Sequence, residues 1–341
     1  MSASVMKPGH DRGGPAQPML IADGLRKHFA LPGGGAVRAV DGVSFEVAKG
    51  ETLGVVGESG CGKSTLARLL LHLVRPDAGE LVFDGEAVGA SGGIALQDLR
   101  RQAQMVFQDS ASSLNPRMPV RDSVAFGPRV LGRSRRQAAS EADDVLRRVG
   151  LAPELFGPRY PHELSGGQKQ RVNIARALAL QPRLVILDEA VSALDKSVEA
   201  QVLNLLAGLK RQLGLTYIFI SHDLAVVRHV SDRVLVMYLG CVAESGPAEQ
   251  VFNRPLHPYT RALLASRLSM DPDRRVEQAP IGGDPPSPAN PPSGCRFRTR
   301  CPHAEGVCAE RVPTPASWAG HQAACHMVHP GSGHSEAGLA A

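Results

Sequence analysis

Apolar runs and helical patterns alternate along most of the chain. Runs typical of strands lie at residues 52–57, 184–188, 216–221 and 233–237, and the middle two are apolar enough to be buried on both faces. Helical patterns follow at 63–74, 197–213 and 223–230. Because a crossover helix joins consecutive parallel strands, this alternation predicts an α/β domain whose parallel sheet is covered by helices.

The remaining segments divide the chain further. Runs at 19–25, 43–47 and 81–84 have no crossover helices and predict a smaller antiparallel sheet. Residues 121–150 are helical and charged, within a predicted helical subdomain of about 109–182. We expect a disordered lead-in (1–18), a main domain (19–254), a C-terminal module (255–330) and a disordered tail (331–341). The module is predicted to begin with a docking helix at 258–267, anchored by Leu263 and Leu264, and a proline-rich linker follows it.

Composition narrows the class of protein only slightly. Hydrophobic residues make up 43% and charged residues 21%, as in ordinary globular proteins. The net charge of +5 suits a solvated surface or a surface facing anionic lipid. No stretch reaches the roughly 20 apolar residues of a membrane span, and the N-terminus lacks the apolar core of a signal peptide. We therefore expect an intracellular protein that reaches a membrane only through partners.

The loop between the first strand and the first helix is rich in glycine. It reads Gly57-Glu58-Ser59-Gly60-Cys61-Gly62-Lys63-Ser64, followed by Thr65, and fits the P-loop pattern. The glycines let backbone N–H groups surround the phosphates of a nucleotide, and the helix dipole adds to the attraction. Lys63 is predicted to reach the β- and γ-phosphates and Ser64 to ligate Mg²⁺. The alternative interpretation is an accidental glycine-rich turn. Within the loop, Cys61 is predicted to fill a small-residue position rather than to do redox chemistry.

Two adjacent carboxylates end the apolar run 184–188. Asp188 is predicted to hold Mg²⁺, directly or through water, and Glu189 to polarise the attacking water as a general base. An acidic strand end without function is the alternative. Together with the P-loop, the pair predicts a Mg²⁺-dependent ATPase.

A second glycine-rich helix start follows at Leu164-Ser165-Gly166-Gly167-Gln168. Ser165 is predicted to be the N-cap of a helix that runs to about residue 180, and the two glycines leave an anion site at its positive end. One triphosphate cannot easily occupy two such helix starts of one fold. We therefore expect Ser165, Gly166, Gly167 and Gln168 to bind the γ-phosphate of ATP held by another chain in a head-to-tail dimer.

These motifs make the chain resemble the nucleotide-binding domain of ABC transporters, from about residue 19 to 254. The resemblance implies a P-loop NTPase (RecA-like) core with a small antiparallel β subdomain, an α-helical signature subdomain and a Cys-rich C-terminal extension. It implies that Gln108 senses Mg²⁺ and that His222 contacts the γ-phosphate. Asp195 would bridge the two sites of the dimer, and Phe29 would stack on adenine. Ala190 departs from the family pattern, which usually has proline after the catalytic glutamate.

Further stretches resemble the oligopeptide, dipeptide and nickel importers in particular, at 113–117, 160–163, 255–260 and 291–297. The resemblance implies the F-type ATPase subunit of a peptide importer at the cytoplasmic face of the membrane. Its partners would be a second ATPase subunit, two membrane permeases and a solute-binding protein, without nucleic acid. Uptake of nickel or another small solute is the alternative, and a soluble ABC ATPase acting on nucleic acid or ribosomes a more remote one.

Four of the six cysteines lie in the C-terminal module: Cys295, Cys301, Cys308 and Cys325. Disulfides are disfavoured inside cells, and a metal would supply folding energy to a module with little core. The resemblance implies that the four ligate a 4Fe–4S cluster. Zinc, with His303, His321 or His326 in place of a thiolate, and unligated thiols are the alternatives. Because a linker separates the module from the P-loop, ATP binding is expected to be independent of it.

Overall fold

The computed structural model describes residues 17–109, 112–266, 282–318 and 320–338. The strands are β1 Leu20–Ala30, β2 Ala36–Val47, β3 Thr52–Val56, β4 Ala78–Phe83, β5 Glu86–Ala87, β6 Ala103–Val106, β7 Leu184–Asp188, β8 Thr216–Ile220, β9 Arg233–Tyr238, β10 Cys241–Pro247, β11 Ala316–Trp318 and β12 His321–Ala323. The helices are α1 Lys63–Leu70, α2 Leu96–Gln102, α3 Val120–Val130, α4 Arg135–Arg148, α5 Pro153–Phe156, α6 Gly166–Leu178, α7 Lys196–Leu213, α8 Leu224–Val230, α9 Ala248–Asn253, α10 Pro258–Ala265 and α11 Gly306–Glu310, with a 3₁₀ turn at Pro161–Glu163.

The predicted front sheet is present. Strands β2, β1, β4 and β5 are neighbours in that order, and β4 pairs antiparallel with β5. The turn between β4 and β5 contains Asp84 at φ 49° and Gly85 at φ 84°. An Asp-Gly pair with both φ values positive suits a tight hairpin, because Gly has no Cβ and Asp tolerates the left-handed region.

Contacts divide the chain into two compact units. The described residues of the first fall within Met1–Ile21, Glu46–Thr52 and Leu81–Ser221. In this unit β6, β7 and β8 run parallel side by side, with Met105 opposite Ile186 and Ile186 opposite Ile218. Every residue of β7 and β8 is buried, which explains why the sequence there is almost continuously apolar. The predicted parallel arrangement is confirmed for these strands.

Helices α3 to α6 of the first unit fill the interval predicted to be helical. Helix α4 starts with a capping box in which Ser134 accepts a hydrogen bond from the Gln137 backbone and the Gln137 side chain accepts one from the Ser134 backbone. Its buried residues, Ala138, Ala142, Val145 and Leu146, recur at the spacing of one helix face, and that face packs against α3 and α6.

The second unit draws on Ala22–Phe45, Leu53–Glu80 and His222–Ala341. Its strands lie in the order β11, β12, β10, β9 and β3; β3 and β9 are parallel, and the other neighbours are antiparallel. Strand β12 comes from the C-terminal module and pairs with β10, with Ala323 opposite Glu244. The module therefore extends the sheet of this unit, although the sequence presents it as an appendage behind a linker.

Two details of the C-terminal region differ from the predictions. In α10 the residues buried are Pro258, Tyr259 and Thr260, while the predicted anchors Leu263 and Leu264 are only partly buried. In the predicted tail, His334 is buried and hydrogen-bonds the backbone oxygen of His303 at 2.8 Å, so residues 331–338 are packed on the module.

The rest of the predicted lead-in (1–16) and tail (339–341) lies outside the described residues, and the boundaries at 254 and 330 stay a prediction. Across the described ranges, no helix is both long and apolar enough to cross a bilayer.

Candidate functional site

The P-loop follows β3 in the second unit, and its glycines are required by close backbone contacts. A Cβ on Gly57 would lie 2.2 Å from the Met237 carbonyl oxygen, and a Cβ on Gly62 would lie 2.0 Å from that of Ala39. Both residues have positive φ, at 150° and 106°. Gly60, at φ 76°, has nothing within 4 Å of its Cβ position. The loop is therefore held against its own unit at both ends and open in the middle.

Lys63 starts α1 directly after this loop. It is 6% exposed, and its Nζ donates hydrogen bonds to the carbonyl oxygens of Gly57 at 2.7 Å and Glu58 at 3.0 Å. The N-cap residue Gly62 has no side chain to bond the first N–H groups of α1, where Ser64 and Thr65 lie. An ammonium beside a positive helix end suits a phosphate.

Cys61 lies inside the loop as a small buried residue, 3% exposed. Burial raises the pKa of its thiol, although nearby Lys63 acts in the opposite direction. The thiol therefore stays protonated at neutral pH, as expected of a residue that packs rather than reacts.

The two predicted carboxylates leave the carboxyl end of β7 in the first unit. Asp188 is buried, whereas Glu189 is partly exposed and has a left-handed φ of 48°. The Glu189 N–H donates to the Ile220 oxygen at 2.9 Å, and Gln108 Nε2 donates to Glu189 Oε2 at 2.9 Å. The structure thus brings Gln108 and Glu189 together, and the amide fixes the direction of the carboxylate.

The second glycine-rich segment begins α6, also in the first unit. Ser165 is the N-cap: its hydroxyl accepts from the Gln168 N–H at 3.3 Å, and the Gln168 side chain accepts from the Ser165 N–H at 3.0 Å. A Cβ on Gly167 would meet Val198 Cγ1 at 2.5 Å. A Cβ on Gly166 would meet only Leu194 Cδ2, at 3.8 Å. Packing therefore explains Gly167, whereas nothing in its surroundings requires Gly166, which is exposed.

The other predicted site residues occupy element ends. Asp195 is the exposed N-cap of α7 in the first unit. In the second unit, His222 is exposed just before the N-cap of α8. Phe29 lies near the end of β1, 42% exposed, with Lys27 Nζ 5.7 Å from its ring centroid. Their predicted contacts with nucleotide stay predictions.

The four cysteines of the C-terminal module line a single small cavity in the second unit. Burial raises the pKa of Cys295 to about 11 and that of Cys325 to about 12, and the neighbouring thiols add to the effect. His303, His326 and His334 line the same cavity. In the described part of the chain, no three His, Cys, Asp or Glu side chains are arranged as the ligands of one metal ion.

The structure gives His321 a different position from the one its predicted role requires. Its Nε2 lies 2.6 Å from Glu244 Oε1, both side chains are buried, and His321 does not line the cysteine cavity. The proposal of His321 as an alternative zinc ligand is therefore wrong. His257 and His334 also line the cavity, although the sequence did not predict either as a ligand.

Two residues that contact the P-loop were also missed. The Glu58 N–H donates to the Tyr259 hydroxyl at 2.9 Å, and Arg300 forms hydrogen bonds to both carboxylate oxygens of Glu58. The linker separates the C-terminal module from the P-loop along the chain, but the two are in contact in the structure. The premise that the module is remote from the P-loop is therefore wrong. Tyr259 lies in the stretch 255–260 that resembles the importer family, but no local sequence pattern pairs residues this far apart.

Comparison with known proteins finds matches along most of the chain. The sequence pattern of the ABC transporter family matches residues 40–192, and that of the oligopeptide/dipeptide transporter C-terminal region matches 243–308. The chain is 49% identical to a probable peptide ABC transporter ATP-binding protein, y4tS, of Sinorhizobium fredii, over 92% of this chain and 90% of that protein. It is 47% identical to the di/tripeptide transport ATP-binding protein DppF of Pseudomonas aeruginosa, over 90% and 97%. Identity to the oligopeptide transport ATP-binding protein AppF of Bacillus subtilis is 48%, over 89% and 95%.

Solved structures agree in fold. CbiO1 of Clostridium perfringens, part of an ABC transporter complex, matches with a TM-score of 0.61 and 29% identity, over 70% of this chain and 92% of that one. The ATP-binding cassette MJ0796, in a dimeric post-hydrolysis state bound to ADP and phosphate, matches with a TM-score of 0.60 and 27% identity, over 67% and 99%.

Proposed function

Because the chain belongs to the ABC transporter ATP-binding proteins that carry an oligopeptide/dipeptide transporter C-terminal region, we propose that it energises the import of peptides. The class of cargo is inferred from the match of residues 243–308 to the oligopeptide/dipeptide transporter C-terminal region. The ATPase core could not indicate it, because all ABC transporters share that core. The names of the relatives y4tS, DppF and AppF support it.

In the proposed reaction, the P-loop and Lys63 would hold the phosphates of ATP. By the family resemblance, Ser64, Asp188 and Gln108 would hold Mg²⁺. The metal would neutralise charge on the transferring phosphoryl group. Glu189 takes a proton from the attacking water, and the Gln108 amide keeps that carboxylate aimed. His222 contacts the γ-phosphate, and Phe29 stacks on the adenine.

The second glycine-rich segment is proposed to act on ATP bound to a second subunit. Its helix start is capped and exposed, and a methyl group on Gly166 would disturb little within this chain. Because no neighbour within this chain requires glycine at position 166, the missing side chain fits a close contact with a partner subunit. The dimeric state of MJ0796 supports such an arrangement, in which Asp195 would lie near the shared boundary.

The partners proposed for this subunit are a second, homologous ATPase, two membrane permeases and a solute-binding protein. The chain would then sit at the cytoplasmic face of the membrane through contacts with the permeases. Family membership and the names of the relatives support these partners.

The four cysteines are proposed to ligate a metal centre, a 4Fe–4S cluster by resemblance or zinc as the alternative. The four thiols that line one cavity supply the donor type and number of such a centre, but in the described residues they are not gathered around one point, so binding would require them to move together. Their raised pKa values mean that a metal must displace the protons, so binding is expected to weaken as the pH falls. The centre would supply folding energy to the module.

The cargo proposal is tested with a transporter assembled from this chain and the proposed partners of its own organism: a second ATPase, two permeases and a solute-binding protein. In liposomes, di- and oligopeptides are expected to stimulate ATP hydrolysis and to accumulate inside. The Glu189→Gln complex serves as the control without turnover. Stimulation by nickel, with no response to any peptide, would contradict the proposal.

Metal analysis tests the cysteine proposal. Anaerobically purified protein is expected to be brown, with about four irons per chain. Colourless protein with one zinc per chain would show that the cysteines bind zinc instead of a 4Fe–4S cluster. Metal-free protein with four alkylatable thiols and an ordered C-terminus would exclude both.

A further inference from the structure

Glu58, the second residue of the P-loop, is bound from two sides by residues that follow it by more than 200 positions. Arg300 Nη1 donates to Glu58 Oε2 at 2.8 Å, and Arg300 Nη2 donates to Glu58 Oε1 at 3.1 Å. This is the bidentate pairing that a planar guanidinium makes best. The Tyr259 hydroxyl accepts from the Glu58 N–H at 2.9 Å.

Both partners are themselves held rigidly. The Arg300 side chain is 6% exposed and makes two further hydrogen bonds, to the Tyr238 hydroxyl at 3.3 Å and to the Gly282 carbonyl oxygen at 3.1 Å. Burial disfavours its charge, but the bonds to Glu58 and Tyr238 outweigh this and raise the pKa of Arg300 above its usual value. Tyr259 is fully buried, and its ring centroid lies 4.6 Å from that of Tyr238 and 5.4 Å from that of Phe297.

Glu58 also contacts Lys63, the residue proposed to bind the phosphates. The carbonyl oxygen of Glu58 accepts a hydrogen bond from Lys63 Nζ at 3.0 Å, and it also accepts from the Cys61 N–H at 3.2 Å. The side chain, N–H and carbonyl of Glu58 are therefore all occupied. Fixing this residue fixes the peptide units that surround the Lys63 ammonium.

We propose that Arg300 and Tyr259 are positioning residues that hold the P-loop in its nucleotide-binding shape through Glu58. The cysteine-rich module then contributes to ATP affinity, although none of its residues needs to touch the nucleotide. A preformed loop spares ATP the cost of ordering it. The inference rests on the proposed role of the P-loop.

The main test replaces Arg300 by Ala in the full-length chain and measures ATP affinity by titration and hydrolysis in the assembled transporter. Loss of a buried, charge-assisted pair is expected to raise the Kd and KM for ATP about tenfold. The kcat is expected to stay within about twofold, because the loop is needed equally in the ground and transition states. Arg298→Ala is the matched control, since Arg298 contacts Ser293 instead of the P-loop.

Three further variants separate positioning from mere stability. Glu58→Gln leaves the backbone in place and removes the charge, so it is expected to match Arg300→Ala, and the double variant to be no worse than either. Arg300→Lys keeps the positive charge but loses the planar guanidinium that pairs with both carboxylate oxygens. It is expected to recover part of the ATP affinity that Arg300→Ala loses. Tyr259→Phe removes only the acceptor for the Glu58 N–H and is expected to weaken ATP binding further when combined with Arg300→Ala.

The Lys63→Ala variant separates a failure of the P-loop assignment from a failure of the positioning role of Arg300 and Tyr259. If Lys63→Ala leaves ATP affinity unchanged, the P-loop assignment itself fails. If Lys63→Ala weakens binding while Arg300→Ala and Glu58→Gln bind ATP like the wild type, only the positioning role fails. Additive losses in Glu58→Gln/Arg300→Ala would also overturn it, because the two side chains would then act separately.

Discussion

Glu189 receives the Gln108 amide at 2.9 Å and keeps a left-handed backbone at the end of a buried strand. Replacing Glu189 by Gln removes the proposed base and keeps the size of the side chain. We expect turnover to fall about 10²–10⁴-fold while ATP still binds. The ATPase rate of the assembled transporter and nucleotide titration measure the two effects, and an ATP-bound dimer should accumulate.

Glu199→Gln is the control for that substitution, because Glu199 pairs with Lys196 in α7 and has no proposed catalytic role. Wild-type turnover by Glu189→Gln would remove Glu189 from the mechanism.

The paired glycines at the start of α6 allow fold and function to be separated. In Gly167→Ala the new Cβ would lie 2.5 Å from Val198 Cγ1, and valine has little freedom to move aside. We expect Gly167→Ala to lower the free energy of unfolding by about 1–3 kcal/mol. Gly166→Ala should change it by less than about 0.5 kcal/mol.

For ATP hydrolysis we expect the opposite order, with Gly166→Ala more damaging than Gly167→Ala. A methyl group on Gly166 would stand where the proposed partner's phosphate binds, so Gly166→Ala is expected to lower hydrolysis in the complex about a hundredfold. ATP binding to the isolated chain should not change. If the isolated chain of Gly166→Ala lost ATP affinity to the same extent, the segment would act within its own subunit.

At the scale of elements, the β4–β5 hairpin is tied down by a buried ion-pair cluster. Asp84 lies 2.9 Å from Lys49 Nζ and 2.6 Å from Arg183 Nη1, and all three side chains are largely buried. Asp84→Asn tolerates the same positive φ but removes the charge between two cations. We expect a loss of about 3–5 kcal/mol in the free energy of unfolding, measured in urea.

Asp98→Asn, at an exposed position in the first turn of α2, is the control for the hairpin and should cost less than about 0.5 kcal/mol. A similarly small effect of Asp84→Asn would mean that the cluster contributes little to stability.

Elements with a strong local pattern were predictable from the sequence. Strand β7 was predicted with its exact bounds, because five consecutive buried positions leave a continuous apolar run before Asp188. The N-cap at Ser165 was predicted because serine is a preferred N-cap residue before a helical pattern, and the structure adds the reciprocal bond from the Gln168 side chain. By contrast, β11 and β12 are three-residue strands that depend on pairing with β10, and nothing local marks them.

The anchor of α10 was mispredicted for a related reason. Leucines are the usual buried residues, yet here Tyr259 is buried because its hydroxyl finds the Glu58 N–H and its ring packs on Tyr238. Burial of a tyrosine depends on a partner for its hydroxyl, and that partner lies in a distant segment. The same holds for the ion pair between Arg300 and Glu58.

At the scale of the whole molecule, the cysteine module and the nucleotide site are predicted to be coupled. Arg300 directly precedes Cys301, so if Cys301 is the proposed metal ligand, its loss should release the Arg300 guanidinium from Glu58. We expect Cys301→Ser to lose its metal, to become protease-sensitive between 295 and 325, and to bind ATP as weakly as Arg300→Ala. Metal content, limited proteolysis and ATP titration are the three measurements.

Adding Arg300→Ala to Cys301→Ser should cause no further loss of ATP affinity, because both changes break the same link. If Cys301→Ser lost its metal and its protease resistance while keeping wild-type ATP affinity, the module would be independent of the P-loop after all.

The distance along the chain between Glu58 and Arg300 also has a consequence for how the protein is made. The two residues are 242 positions apart. At about 5–20 residues per second, roughly 12–48 s pass on the ribosome between the synthesis of one and the other. Throughout that interval the emerging P-loop lacks the partner that shapes it, so the nascent chain should bind ATP weakly until its C-terminal module has folded. Full affinity for nucleotide thus requires translation beyond Arg300, and a chain terminated before that residue is expected to bind ATP about as weakly as Arg300→Ala.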